Sequence, residues 1–132
     1  NILIVDDDEF ILRSLELMLQ NSSYKVLSTT SATRAINILE LNNIDLIITD
    51  IMMPDQDGMT LISLIRDKLN LDIPIIIISG DQMNYKAENM FNFVYYFACD
   101  FIQKPIHKHQ LLDAINYAFN FSAEKALENL QF

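Results

Sequence analysis

The chain has 132 residues, of which 51% are hydrophobic and 20% charged, enough apolar material for the core of one domain and too much for a disordered tail. Two glycines and three prolines exclude collagenous and low-complexity chains, and one cysteine excludes an internal disulfide or a multi-cysteine zinc site and fits a reducing compartment. Eighteen acids against nine basic residues give a formal charge of −9, the wrong sign for direct binding to nucleic acid or to an anionic membrane.

In chain order, Ile2-Leu3-Ile4-Val5 is a solid apolar run that ends in Asp6-Asp7-Asp8. Ile11, Leu15, Met18 and Leu19 then follow a helical spacing. Lys25-Val26-Leu27-Ser28-Thr29 is more polar and predicts an edge strand. Ser31 is a candidate N-cap for a helix carrying Ala32, Ala35, Ile36 and Leu39. Leu46-Ile47-Ile48-Thr49 repeats the first pattern and ends at Asp50. Leu61, Ile62, Ile65 and Leu69 make a third helical stripe. Ile75 to Ile78 is a further apolar run, ending at Ser79-Gly80. A helix is expected over 84–96, unusually rich in aromatic residues such as Tyr95 and Tyr96. Phe101-Ile102-Gln103 predicts a short fifth strand, and Leu111, Ile115, Ala118, Phe119 and Ser122 a last helix.

Solid apolar runs are the mark of strands buried on both faces. Their alternation with helices predicts an α/β fold: a doubly wound parallel sheet with helices on both faces. The fold needs residues 1–120. Residues 121–132 extend the last helix or begin a linker, with Ala126 and Leu130 directed toward a neighbouring domain or a dimer partner. No apolar run approaches the roughly 20 residues that span a bilayer, and the amino terminus lacks a signal-peptide pattern, so a cytoplasmic location is expected.

Ligands of open α/β sheets bind beyond the carboxyl ends of the strands. Those ends deliver Asp6, Asp7 and Asp8, then Asp50, Ser79 and Lys104-Pro105. Two unit charges about 4 Å apart repel by roughly 1 kcal/mol in water and 4 kcal/mol at an effective dielectric of 20. Clustered carboxylates therefore call for a cation, and hard oxygen donors suit Mg²⁺. Asp8 reads better as a helix cap than as a ligand, and Asp57-Gly58 as a turn opening the third helix. Cys99 reads as a small buried thiol. His107 and His109 read as surface residues at the start of the last helix.

Taken together, Ile-Val-Asp-Asp-Asp in the first eight residues, Thr49-Asp50 followed by Met53-Pro54 and Asp57-Gly58, Ser79-Gly80 and Lys104-Pro105 resemble the receiver domain of two-component response regulators. The resemblance covers about residues 1–120 and implies a five-stranded flavodoxin-like sheet of order 2-1-3-4-5. It implies that Asp50 is the phosphoryl acceptor, and that Asp6, Asp7, Asp50 and the backbone carbonyl of Met52 hold Mg²⁺. It also implies that Lys104 and Ser79 meet the phosphoryl oxygens, that Ser79 and Phe101 form the switch, and that the Lys104-Pro105 bond is cis. The implied partners are a sensor histidine kinase or phosphotransfer protein and an output domain beyond residue 132. A homodimer would form through the 84–96 helix, the fifth strand and the last helix. The implied chemistry is confined to the domain's own phosphorylation and dephosphorylation, without turnover of an outside substrate. Two departures stand out: Ala98 follows Phe97 where the family has glycine, and Met52 cannot orient a hydrolytic water by hydrogen bonding.

Two other readings compete. A Mg²⁺-dependent phosphohydrolase with an aspartyl nucleophile also places acids at strand ends. Here, however, Glu9 and Phe10 follow Asp8 where that class has glycine, and 132 residues leave no room for a cap domain. A phosphate-independent interaction domain of the same fold would have no need of Asp50, Ser79 and Lys104 together. Phosphate-binding glycine loops are excluded, because Gly58 and Gly80 stand alone.

Overall fold

The computed structural model describes residues 1–51, 53, 58–80 and 100–130. Met52, Asp57, Cys99 and the expected 84–96 helix with Tyr95 and Tyr96, together with Phe97 and Ala98, lie outside the described residues. The elements run β1 (Ile2–Val5), α1 (Glu9–Met18), β2 (Val26–Thr29), α2 (Ala32–Leu41), β3 (Leu46–Asp50), α3 (Gly58–Ser63), β4 (Ile75–Ser79), β5 (Asp100–Gln103) and α4 (Lys108–Asn129). The strands form one parallel sheet in the order β2-β1-β3-β4-β5. The more polar β2 lies at an edge, as its composition predicts, and β1, β3 and β4 are buried throughout.

Alternate side chains of each strand point to opposite faces. Leu3, Val5, Ile47, Ile75 and Ile77 pack with Ala32, Ala35 and Leu39 of α2 and Leu61 and Ile62 of α3. Ile2, Ile4, Leu46, Ile48, Ile76, Ile78 and Ile102 pack with Leu12 and Leu15 of α1 and Leu111, Ile115 and Ala118 of α4. Both faces are therefore covered, which is why the central runs carry no polar alternation.

Local chemistry sets the helix starts. Asp8 caps α1, its side chain accepting from the Phe10 N–H at 2.9 Å. Ser31 caps α2 through the Arg34 N–H at 3.3 Å. The third helical stripe ends differently from its spacing. Beyond Ser63 the chain widens into a π turn over Leu64–Lys68, closed by the Leu69 N–H on the Leu64 carbonyl at 2.9 Å. Asn70 then turns left-handed at φ 53°. The Arg66 guanidinium collects the Leu71 and Ile73 carbonyls at 2.9 and 2.7 Å. The π turn keeps Ile65 buried while the chain reverses toward β4.

At the other end, α4 continues unbroken through residue 121 to Asn129. Lys125 on it meets Asp72 of the α3–β4 connection at 3.2 Å. None of the described helices is long and apolar enough to cross a membrane.

Replacing Arg66 by Met keeps the aliphatic stem and removes the donors to two carbonyls. Urea unfolding should register a loss of roughly 2 kcal/mol. An unchanged midpoint would show that the connection holds itself.

Candidate functional site

β1 and β3 are neighbours, with Val5 opposite Thr49, so the next residues, Asp6 and Asp50, leave the sheet side by side. Asp6 is fully buried and Asp50 nearly so, whereas Asp7 is exposed. One carboxylate oxygen from each of Asp6, Asp7 and Asp50 lies within 4.8 Å of the others. Lys104 arrives from beyond β5. Its N–H extends the β4–β5 pairing by donating to the Ser79 carbonyl at 2.7 Å. Its Nζ then reaches back across β4 to Asp6 Oδ2 at 3.1 Å and Asp50 Oδ2 at 3.2 Å. The Lys104-Pro105 peptide bond is cis. Ser79 is the buried last residue of β4, one step beyond Ile78, which pairs with Asp50.

Asp6 Oδ1 accepts from the Asp8 N–H at 2.9 Å. Oδ2 is buried without an aligned hydrogen bond, and its approach to Lys104 is an ion pair only. Burial is the main cause that pushes the Asp6 carboxyl up to about 6, assisted by the Asp50 charge and opposed by the Asp8 N–H and Lys104. For Lys104, burial acts to lower the pKa, but the charges of Asp6 and Asp50 outweigh it and hold the ammonium above its ordinary value.

These donors fit a hard divalent cation. They are oxygens only, they carry more negative charge than Lys104 neutralises, and one buried oxygen lacks an aligned partner. Asp8 is committed to capping α1 and stands outside the cluster. Phe101 is half-buried in β5 and packs against the core on the α2–α3 side. His107 and His109 are both exposed, and their rings stack at 6.1 Å because His107 sits at the cap position, outside the helix proper. They belong to no metal-ligating cluster among the described residues.

Two residues named in the sequence motifs make contacts near the site that the sequence reading did not give. Thr49 is fully buried and donates its hydroxyl to the Asp50 carbonyl at 3.0 Å. Gly58, expected at a turn opening the third helix, is the first residue of α3 and lies directly on the Asp50–Ile51 backbone. For Gly58 the scarcity of glycine was a signal, since the chain has only two; for Thr49 nothing beyond its place beside Asp50 pointed to the contact.

A family model described as response regulator receiver domain matches residues 2–116. The two-component response regulator ORR22 of Oryza sativa subsp. indica is 36% identical over 112 residues, covering 83% of this chain and 15% of that protein. ARR10 of Arabidopsis thaliana, also a two-component response regulator, is 36% identical over 83% of this chain and 19% of its own length. The chain thus spans less than a fifth of these relatives. Among solved structures, a response regulator receiver domain protein from Clostridium thermocellum has a TM-score of 0.80 at 30% identity, covering 96% of this chain and 97% of that one. A CheY-like receiver domain protein from Methanospirillum hungatei has a TM-score of 0.82 at 28% identity, covering 94% and 96%.

The raised pKa of Asp6 gives a signed prediction for the metal-free protein. Its stabilising contribution is full below about pH 4 and is lost as pH rises through 6. With chelator at pH 8, Asp6→Asn should therefore be more stable than wild type by up to about 3 kcal/mol, and the gap should close toward pH 4. A variant less stable than wild type at pH 8 would mean that the pair with Lys104 outweighs burial.

Proposed function

The chain belongs to the response regulator receiver domain family, and on that premise we propose that Asp50 accepts a phosphoryl group from the phosphohistidine of a sensor histidine kinase or phosphotransfer protein. The observation that carries this reading is the setting of Asp50: nearly buried at a strand end, within ion-pair distance of Lys104 and beside two further carboxylates.

An Asp50 carboxylate oxygen attacks phosphorus, the P–N bond to the donor imidazole breaks, and its electron pair stays on that nitrogen. Lys104 supplies a compact positive charge to the phosphoryl oxygens as negative charge gathers around Asp50. Ser79 donates its hydroxyl to another of those oxygens. Phosphorylation places about −1.5 to −2 charge where Asp50 carried −1, which draws Lys104 and Ser79 inward. Phe101, on β5 beside the strand of Ser79 and packed against the core, relays that movement. Asp6, Asp7, Asp50 and the Met52 carbonyl would hold Mg²⁺, which when bound neutralises the acids and braces phosphoryl oxygens.

Under this reading residues 1–120 are the receiver unit, and 121–132 lead toward an output domain. The chemistry is limited to the domain's own phosphorylation and dephosphorylation. Phosphorylation would favour a homodimer through the 84–96 segment, β5 and α4. Nucleic acid and membrane are not direct partners of this acidic unit, and its place is the cytoplasm.

Beryllofluoride with Mg²⁺ should shift the amide resonances of Ser79, Lys104 and Phe101 in wild type and leave Asp50→Asn unmoved. No shift in either protein would favour a phosphate-independent interaction domain. Met52 offers no hydrogen bond to a hydrolytic water, so the acyl phosphate should be long-lived and Met52→Asn should shorten its half-life. A half-life as long after the exchange as before would refute that role for Met52.

A further inference from the structure

We infer that Gly58 is a positioning residue for Asp50, because only glycine lets the first turn of α3 rest on the peptide group that carries the acceptor carboxylate. The inference builds on the reading of Asp50 as the phosphoryl acceptor. The Gly58 N–H donates to the Ile51 carbonyl at 2.8 Å. A Cβ on Gly58 would overlap the Asp50 carbonyl oxygen and lie 2.6 Å from the Ile51 Cα and 3.1 Å from the Asp50 carbonyl carbon. All three are backbone atoms at the buried end of a central strand, so none can swing aside as a side-chain tip would.

Other reasons for glycine fail here. Its φ is not left-handed, so the backbone conformation is open to any residue. Helix propensity favours alanine. The close approach is what remains. Gly80, directly after Ser79, supplies the contrast, since a Cβ there would meet nothing within 4 Å.

Thr49 completes the arrangement. Its buried hydroxyl donates to the same Asp50 carbonyl oxygen at 3.0 Å. The Asp50 peptide group is thus held by a hydroxyl and abutted by a bare Cα, while its carboxylate lies 3.2 Å from Lys104 Nζ. Relieving the overlap of an added Cβ requires α3 or the end of β3 to move by on the order of 1 Å, and misplacement of that size at a reacting group lowers rates by about 10²-fold.

The test compares Gly58→Ala, Gly80→Ala and Thr49→Val with wild type. The readouts are the single-turnover rate of phosphorylation by acetyl phosphate, the Mg²⁺ dissociation constant from NMR titration, the Asp50 carboxyl ¹³C shift, and thermal unfolding. Gly58→Ala should phosphorylate about 10²-fold more slowly and bind Mg²⁺ more weakly, with a displaced Asp50 resonance. Gly80→Ala should stay within about twofold of wild type, and Thr49→Val should fall between, about tenfold slower. Gly58→Ala that is less stable yet reacts at the wild-type rate would overturn the inference, leaving Gly58 a packing residue. Should Gly58→Ala fail to fold, Thr49→Val decides, and a wild-type rate and Mg²⁺ affinity in it would overturn the inference. Failure of the acceptor reading itself looks different: wild type would be no more phosphorylated than Asp50→Asn. The Asp50 shift and Mg²⁺ affinity then still judge Gly58, and values unchanged in Gly58→Ala would overturn the inference.

Discussion

The ammonium of Lys104, 3.1 Å from Asp6 and 3.2 Å from Asp50, is the contact on which the strand ends depend. A fully buried carboxylate beside a second one is unfavourable by itself, through lost hydration and mutual repulsion. One cation shared between both offsets part of that cost and leaves the rest in place. The residual strain is visible in the Asp6 carboxyl, pushed up to about 6, and in its buried Oδ2 without an aligned hydrogen bond. The site is therefore poised to take up further positive charge. The same interaction that holds it together defines what it lacks.

Everything around that contact serves to bring three distant parts of the chain to one edge. Parallel pairing sets Asp6 beside Asp50. The bond from the Lys104 N–H to the Ser79 carbonyl carries the β4–β5 ladder one residue further, so the lysine leaves the sheet at the same level. The helices contribute by packing on both faces, which keeps the central strands from water between their ends. Asp8 is recruited to cap α1, which separates it from Asp6 and Asp7 although the three are adjacent in sequence.

The parts legible in the sequence are those fixed by burial and by neighbours along the chain. Ile2–Val5, Leu46–Thr49 and Ile75–Ile78 announce central strands because no position in them faces water. The acids that follow announce a charged edge, and Ser31 announces its helix. What could not be read depends on contacts between remote segments. The spacing of Leu61, Ile62, Ile65 and Leu69 suits a regular helix, whereas the chain widens after Ser63, where Arg66 reaches the carbonyls of residues 71 and 73. Gly58 reads as the glycine of a turn opening α3, and its close approach to the Asp50–Ile51 backbone is a contact that no local pattern shows. The shared lysine was expected to meet phosphate; that it already bridges Asp6 and Asp50 follows from the sheet order, which no local pattern contains.

The strict division of each strand between two helical layers has a consequence for how such a chain diverges. Leu46 and Ile48 face one layer, Ile47 the other, and Asp50 keeps the parity of Leu46 and Ile48. Exchanging one of these aliphatic residues for another leaves that parity intact, whereas adding or deleting a single residue would turn Asp50 to the opposite side and reverse every inward side chain behind it. Drift by substitution is therefore cheap and drift in length within these runs is not. The solved structure that is 30% identical in sequence keeps the fold at a TM-score of 0.80, so most residues can be exchanged while the fold stays.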